Sequence, residues 1–100
     1  MAYEFTHFEG RDVPYKVTVY GLSTCGFCRR AVEFLRGHEI PFDYLEVDVL
    51  PREERLSLKA SLANEFEVRV GFPFLVVEWP EGRREFRVGF IRADWEELLL

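Results

Sequence analysis

Long apolar runs are missing from this chain of 100 residues. No stretch approaches the ~20 apolar residues that a membrane span needs. Its first residues, Met1-Ala2-Tyr3-Glu4-Phe5-Thr6-His7, have neither a basic start nor an apolar signal core, so a cytoplasmic protein is expected. Lysine is almost absent, with only Lys16 and Lys59, and the formal charge is −5. That balance argues against a general nucleic-acid binder and against docking on anionic membrane. Cysteine is scarce too: Cys25 and Cys28 are the only two, so a disulfide framework is not expected and a cytosolic redox pair is the better reading. Linkers, repeats and low-complexity tracts are lacking as well. What is present is apolar and ring-rich, 48% hydrophobic with 10 phenylalanines, which suits one compact core and is too little for two.

Along the chain, Tyr3, Phe5 and Phe8 do not keep strict alternation, and Glu9-Gly10-Arg11-Asp12 reads as a turn. Residues 1–15 are therefore expected to form an N-terminal arm or edge strand, ahead of a main domain over residues 16–100. Lys16 to Tyr20 is β-branched and aromatic, a strand. Gly21 to Thr24 is a loop, and a helix follows from Gly26 to Arg36. On that helix Cys28, Ala31, Val32 and Leu35 keep core spacing. Gly37 and Ile40-Pro41 should stop it. Phe42 to Val47 alternates as a second strand. Pro51 to Phe66 reads as a helix with Glu53 and Glu54 in its first turn, although Leu56, Leu58, Leu62 and Phe66 define no single stripe. Phe74 to Trp79 is an unbroken apolar strand, Pro80-Glu81-Gly82-Arg83 a hairpin turn, Glu85 to Val88 the returning strand and Arg92 to Leu100 a last helix. A helix joins the first two strands, so they should run parallel with a right-handed crossover, while the last two form a hairpin. The expectation is an α/β fold: a four-stranded mixed sheet flanked by helices, with an extra N-terminal strand or arm.

Cys25-Gly26-Phe27-Cys28 stands where the strand gives way to the helix. A helix start leaves backbone N–H groups unpaired and carries partial positive charge, so it favours a thiolate over a thiol. Cys25 precedes the first helical turn and should face solvent, which makes it the expected nucleophile toward a disulfide sulfur. Cys28 falls on the core stripe, shielded and one turn away, placed to resolve the mixed disulfide. The plain alternative is half of a zinc site, for which His7 and His38 are the only other soft ligands. His38 lies past the far end of the helix, roughly 15 Å away at 1.5 Å per residue. Both histidines read as ordinary surface residues. Arg29 and Arg30 are solvated helix-surface cations on the simplest view; Arg29 is also the candidate for a direct electrostatic role at the thiolate.

The stretch from Tyr20 to Arg30, the later Gly71-Phe72-Pro73 opening a strand, and Val88-Gly89-Phe90 together resemble the glutaredoxins, small redoxins of thioredoxin fold. The likeness runs over roughly residues 16–100. It implies a dithiol–disulfide oxidoreductase that reduces protein disulfides, glutathione mixed disulfides included, through Cys25 and Cys28, with no tightly bound cofactor. It also implies a cis bond at Pro73, a substrate segment pairing beside Phe72, and substrate contacts at Thr24, Phe27, Gly71, Phe72, Pro73, Gly89 and Phe90. A monomer is expected, with no nucleic-acid or membrane partner.

The departures from the family pattern concern glutathione. Leu22 stands where many glutaredoxins have a lysine, Gly71-Phe72 where they have threonine-valine, and Gly89-Phe90-Ile91-Arg92 intervenes before Asp94. The Gly89-Phe90 pair resembles redoxins that serve ribonucleotide reductase and take electrons from a flavoprotein. The expected electron donor is thus a thioredoxin-reductase-type flavoprotein or glutathione. A second class stays open, the [2Fe–2S] cluster carriers with Cys-Gly-Phe-Ser, although Cys28 replaces their serine. The pattern from Cys28 to Ala31 also resembles arsenate reductases, whose larger insert this chain is too short to supply.

Overall fold

The computed structural model describes residues 3–100, so the first two residues of the expected arm lie outside it. Its elements are β1 (Thr6–Phe8), β2 (Lys16–Gly21), α1 (Gly26–Gly37), β3 (Phe42–Glu46), a 3-10 turn (Val47–Val49), α2 (Arg52–Phe66), β4 (Phe74–Glu78), β5 (Arg84–Val88) and α3 (Arg92–Leu99). They build a five-stranded sheet in the order β1-β3-β2-β4-β5. The pair β2–β3 is parallel, as a helical crossover requires, and the other three pairs are antiparallel. This is the expected mixed sheet, with the N-terminal segment as its fifth, edge strand.

That edge strand explains the broken alternation. Phe8 sits opposite Phe42 and stacks on it at 4.6 Å between ring centroids, in the core layer under α1 and α3. Tyr3 and Phe5, of opposite parity, pack into the layer under α2. The segment therefore serves both faces of the sheet and does not read as one-sided.

The two layers account for the strand sequences. Val17 and Val19 of β2 and Leu75 and Val77 of β4 face α1 and α3. Phe74 and Val76 face α2, with Leu45, Val47, Leu58 and Leu62. β4 is continuously apolar because both its faces are covered. On α2, Leu58 and Leu62 are buried and Phe66 is partly so, a single row at i, i+4, i+8, while Leu56 stays half-exposed. One row suffices because α2 rests on one sheet face with its other sides in water.

Helix α1 buries Cys28, Ala31, Phe34 and Leu35, with Val32 only partly buried. Phe34 joins the stripe because α3 meets it there: its ring lies 6.3 Å from that of the fully buried Trp95 and 5.6 Å from Phe90. The helix ends later than expected. Gly37 is its last residue, and the left-handed residue is Glu39 (φ 55°), after which the Ile40 N–H returns to the Leu35 carbonyl at 2.9 Å. Val47, expected to end the second strand, instead opens the 3-10 turn.

Candidate active site

Strand register lines up one end of the sheet. Gly21 is opposite Glu46 and Tyr20 opposite Phe74, so Pro73 comes level with Gly21. Phe74 is opposite Val88, and the Gly89 N–H donates to the Pro73 carbonyl at 2.8 Å. Gly21, expected in the loop, instead ends β2; the Leu22–Thr24 loop, the 3-10 turn, Pro73 and Gly89 therefore share one end of the sheet, the end to which the N-terminus of α1 is attached.

Cys25 is the N-cap of α1, with extended backbone (φ −97°, ψ 116°), and its Sγ accepts the Cys28 N–H at 3.2 Å. Negative charge on this sulfur meets both a hydrogen-bond donor and the positive end of a helix. Cys25 is partly exposed, whereas Cys28, one turn on, is 1% exposed. Cys28 Sγ accepts the Leu22 N–H at 3.4 Å. Burial pushes the Cys28 thiol up to about 12, helped by its hydrogen bond with Cys25 and opposed by the Leu22 N–H. The two sulfurs thus differ in access and in environment, as the helix position of each implied.

Ser23, Thr24, Cys25, Gly26 and Arg29 line a cavity of about 140 Å³. Phe27 is 57% exposed, with the Arg30 guanidinium 5.6 Å from its ring centroid. The Phe72–Pro73 bond is cis. The Phe72 ring has Lys59 Nζ at 5.9 Å and packs on the α2-side core. At Gly71 a Cβ would come 2.9 Å from a side-chain methyl of Val88, which would have to shift to admit it. Gly89 has φ 83°. Phe90 is turned toward the core, 5.0 Å from Trp95, and its neighbour Ile91, 64% exposed, offers the apolar surface there. Leu22 is no loose surface residue either, since it packs with Tyr20 against the α2-side core.

Three residues here escape the sequence reading. Asp48 accepts from Ser23 N–H at 3.0 Å and from Ser23 Oγ at 2.5 Å, and these bonds hold its carboxyl below the usual range. Tyr44 lays its hydroxyl where a Cβ at Gly21 would stand. Burial first, and then negative charge on Cys28, push that phenol up to about 12. Ser23 and Asp48 are 25 residues apart, so no local pattern announces them. His7 and His38 stay away from the dithiol: His7 bonds Asp43 at 2.8 Å and His38 packs on Phe34. Among the described residues, no three His, Cys, Asp or Glu side chains gather in a way that could hold a metal ion. No helix among them is long and apolar enough to cross a membrane.

The comparisons agree with this geometry. A glutaredoxin crystal structure from Methanosarcina mazei shares 28% identity, with 94% of this chain and 85% of that chain aligned at a TM-score of 0.68. The glutaredoxin of Archaeoglobus fulgidus is also 28% identical, over 83% of this chain and 84% of that one, with a TM-score of 0.65. Methanosarcina acetivorans methanoredoxin matches at 28% identity, over 84% and 83%, with a TM-score of 0.62. No curated protein matches the sequence. The glutaredoxin family model matches residues 17–78. With that span covering more than half of its length and the dithiol placed as described, the chain belongs to the glutaredoxin family, and its fold is thioredoxin-like.

Proposed function

We propose that the protein is a dithiol–disulfide oxidoreductase that reduces protein disulfides, with Cys25 as attacking and Cys28 as resolving sulfur. The observation that carries this reading is the asymmetry of the pair: an accessible sulfur at the helix start and a buried one a turn behind it, joined by the Cys28 N–H to Cys25 Sγ bond. Family membership supports thiol–disulfide exchange in general.

In the first step the Cys25 thiolate attacks one sulfur of the substrate disulfide. That S–S bond breaks, the distal sulfur leaves with the bonding pair and takes a proton from water, and Cys25 holds the mixed disulfide. In the second step Cys28 loses its proton and attacks Cys25 Sγ. The bond from Cys25 to substrate breaks, the substrate sulfur is protonated, and a Cys25–Cys28 disulfide forms. The substrate gains two electrons and the protein loses two. Thr24, Phe27, Gly71, the Phe72 backbone beside Pro73, and Gly89 form the surface for an extended substrate segment, and Arg29 at the cavity favours an anionic sulfur.

For the electron donor we favour a thioredoxin-reductase-type flavoprotein over glutathione. Leu22, partly buried, packs against the α2-side core layer where a glutathione-contacting lysine would stand, and the exposed Phe27 adds apolar surface. The test is NADPH-coupled turnover of a protein disulfide with either glutathione plus glutathione reductase or thioredoxin reductase. Faster turnover with thioredoxin reductase is expected, and Cys25→Ser abolishes it. Leu22→Lys should improve glutathione use by a few-fold at most, since an exposed charge contact is worth ~0.2–1 kcal/mol. Efficient glutathione turnover by the unaltered protein would overturn the donor assignment alone; full activity in Cys25→Ser would overturn the reaction.

A further inference from the structure

We infer that Asp48 is a positioning residue for the dithiol: by holding Ser23 it fixes the Leu22 backbone that touches both cysteines. The inference rests on the dithiol reading above and adds a residue from a different element to it. Asp48 lies in the 3-10 turn after β3, and its two carboxylate oxygens take the N–H and the hydroxyl of Ser23. The residue before Ser23 is Leu22, whose N–H donates to Cys28 Sγ at 3.4 Å and whose carbonyl accepts the Cys25 N–H at 3.4 Å. The bond to the Leu22 carbonyl is long and sulfur is a weak acceptor, and the Leu22–Thr24 segment after β2 belongs to no helix or strand. The two charge-assisted bonds that the Asp48 carboxylate accepts from Ser23 are the strongest tether in that loop. Releasing Ser23 therefore loosens the backbone N–H that faces the resolving sulfur.

Charge and tether act in opposite directions. The Asp48 carboxylate adds a small upward push on the Cys28 thiol, and the Leu22 N–H that Asp48 positions draws it down. The groups facing Cys28 are Cys25 at the α1 N-cap and the Leu22 N–H of the loop before it, with Asp48 beyond. Tyr44 on β3 and Arg55 on α2 interact with the same cluster. Tyr44 keeps its proton up to about 12 and so contributes no charge below that pH.

The two contributions separate in Asp48→Asn, which keeps an acceptor for Ser23 without the charge, and Asp48→Ala, which removes both. The measurement is the rate at which full-length protein resolves a preformed mixed disulfide at Cys25, followed between pH 6 and 10, with unfolding midpoints recorded alongside. Asp48→Ala should slow resolution by about fivefold and move its pH profile to higher pH, as expected for loss of a charge-assisted tether. Asp48→Asn should restore the rate to within about twofold, with the profile unmoved or shifted slightly lower, and Ser23→Ala should fall between them. A wild-type rate and profile in a folded Asp48→Ala protein would overturn the assignment while leaving the dithiol chemistry intact. Equal slowing in Asp48→Asn and Asp48→Ala would also overturn it, because the tether would then not be what matters. Failure of the unaltered protein to resolve any mixed disulfide would instead remove the functional reading beneath it.

Discussion

Two cysteines three positions apart hold unlike environments because the helix turns them to different sides. Cys25 stays outside as an N-cap, and Cys28 enters the core stripe with its thiol raised to about 12 by burial. This difference was legible in the sequence, since a strand, a loop and the i, i+3, i+4 spacing fix it locally. Iodoacetamide mapping of the reduced protein at pH 7.5 should find Cys25 alkylated at least about tenfold faster than Cys28, because Cys28 is buried and its thiol is raised. Equal labelling would show that α1 does not shield Cys28. The partners of the site were not legible. Asp48 and Tyr44 reach the dithiol only because parallel pairing brings β3 beside β2, and nothing near Cys25 in sequence points to them.

At the scale of elements, the strands and helices follow their periodicities, and the departures come from tertiary contact. Phe34 is buried because α3 arrives against it. The arm is a strand because Thr6, His7 and Phe8 find Tyr44, Asp43 and Phe42 across from them. His7 illustrates what such pairing adds: the Asp43 carboxylate, bonded at 2.8 Å, raises its pKa above 6.5. Because the folded value is the higher one, the stabilisation is fully present below pH 6.5 and is lost as pH rises through the folded value. Hydrogen exchange of the β1 amides, corrected for intrinsic rates, should show more protection at pH 6 than at pH 8.5. His7→Ala should remove that difference, and an unchanged difference in the variant would assign it elsewhere.

For the molecule as a whole, the sheet, its register and its two apolar layers place the α1 N-terminus, the cis-proline loop and Gly89 at one edge, and the dithiol inherits its setting from them. Burial also links redox state to alkaline stability. The folded Cys28 thiol sits near 12 against an ordinary 9.0, so its contribution is complete below pH 9 and disappears as pH rises toward 12. Tyr44 behaves alike between 10.0 and about 12. The reduced protein should therefore lose urea resistance more steeply over pH 9–11 than the oxidised protein, in which Cys28 has no proton to lose; parallel slopes would contradict the raised thiol. The most direct test of the dithiol account is to incubate Cys28→Ser with a protein disulfide, quench with acid and map the adduct by mass spectrometry. The account predicts a stable mixed disulfide at Cys25 and no release of reduced substrate. Continued release at the unaltered rate, or failure to form any adduct while the unaltered protein turns over, would contradict it.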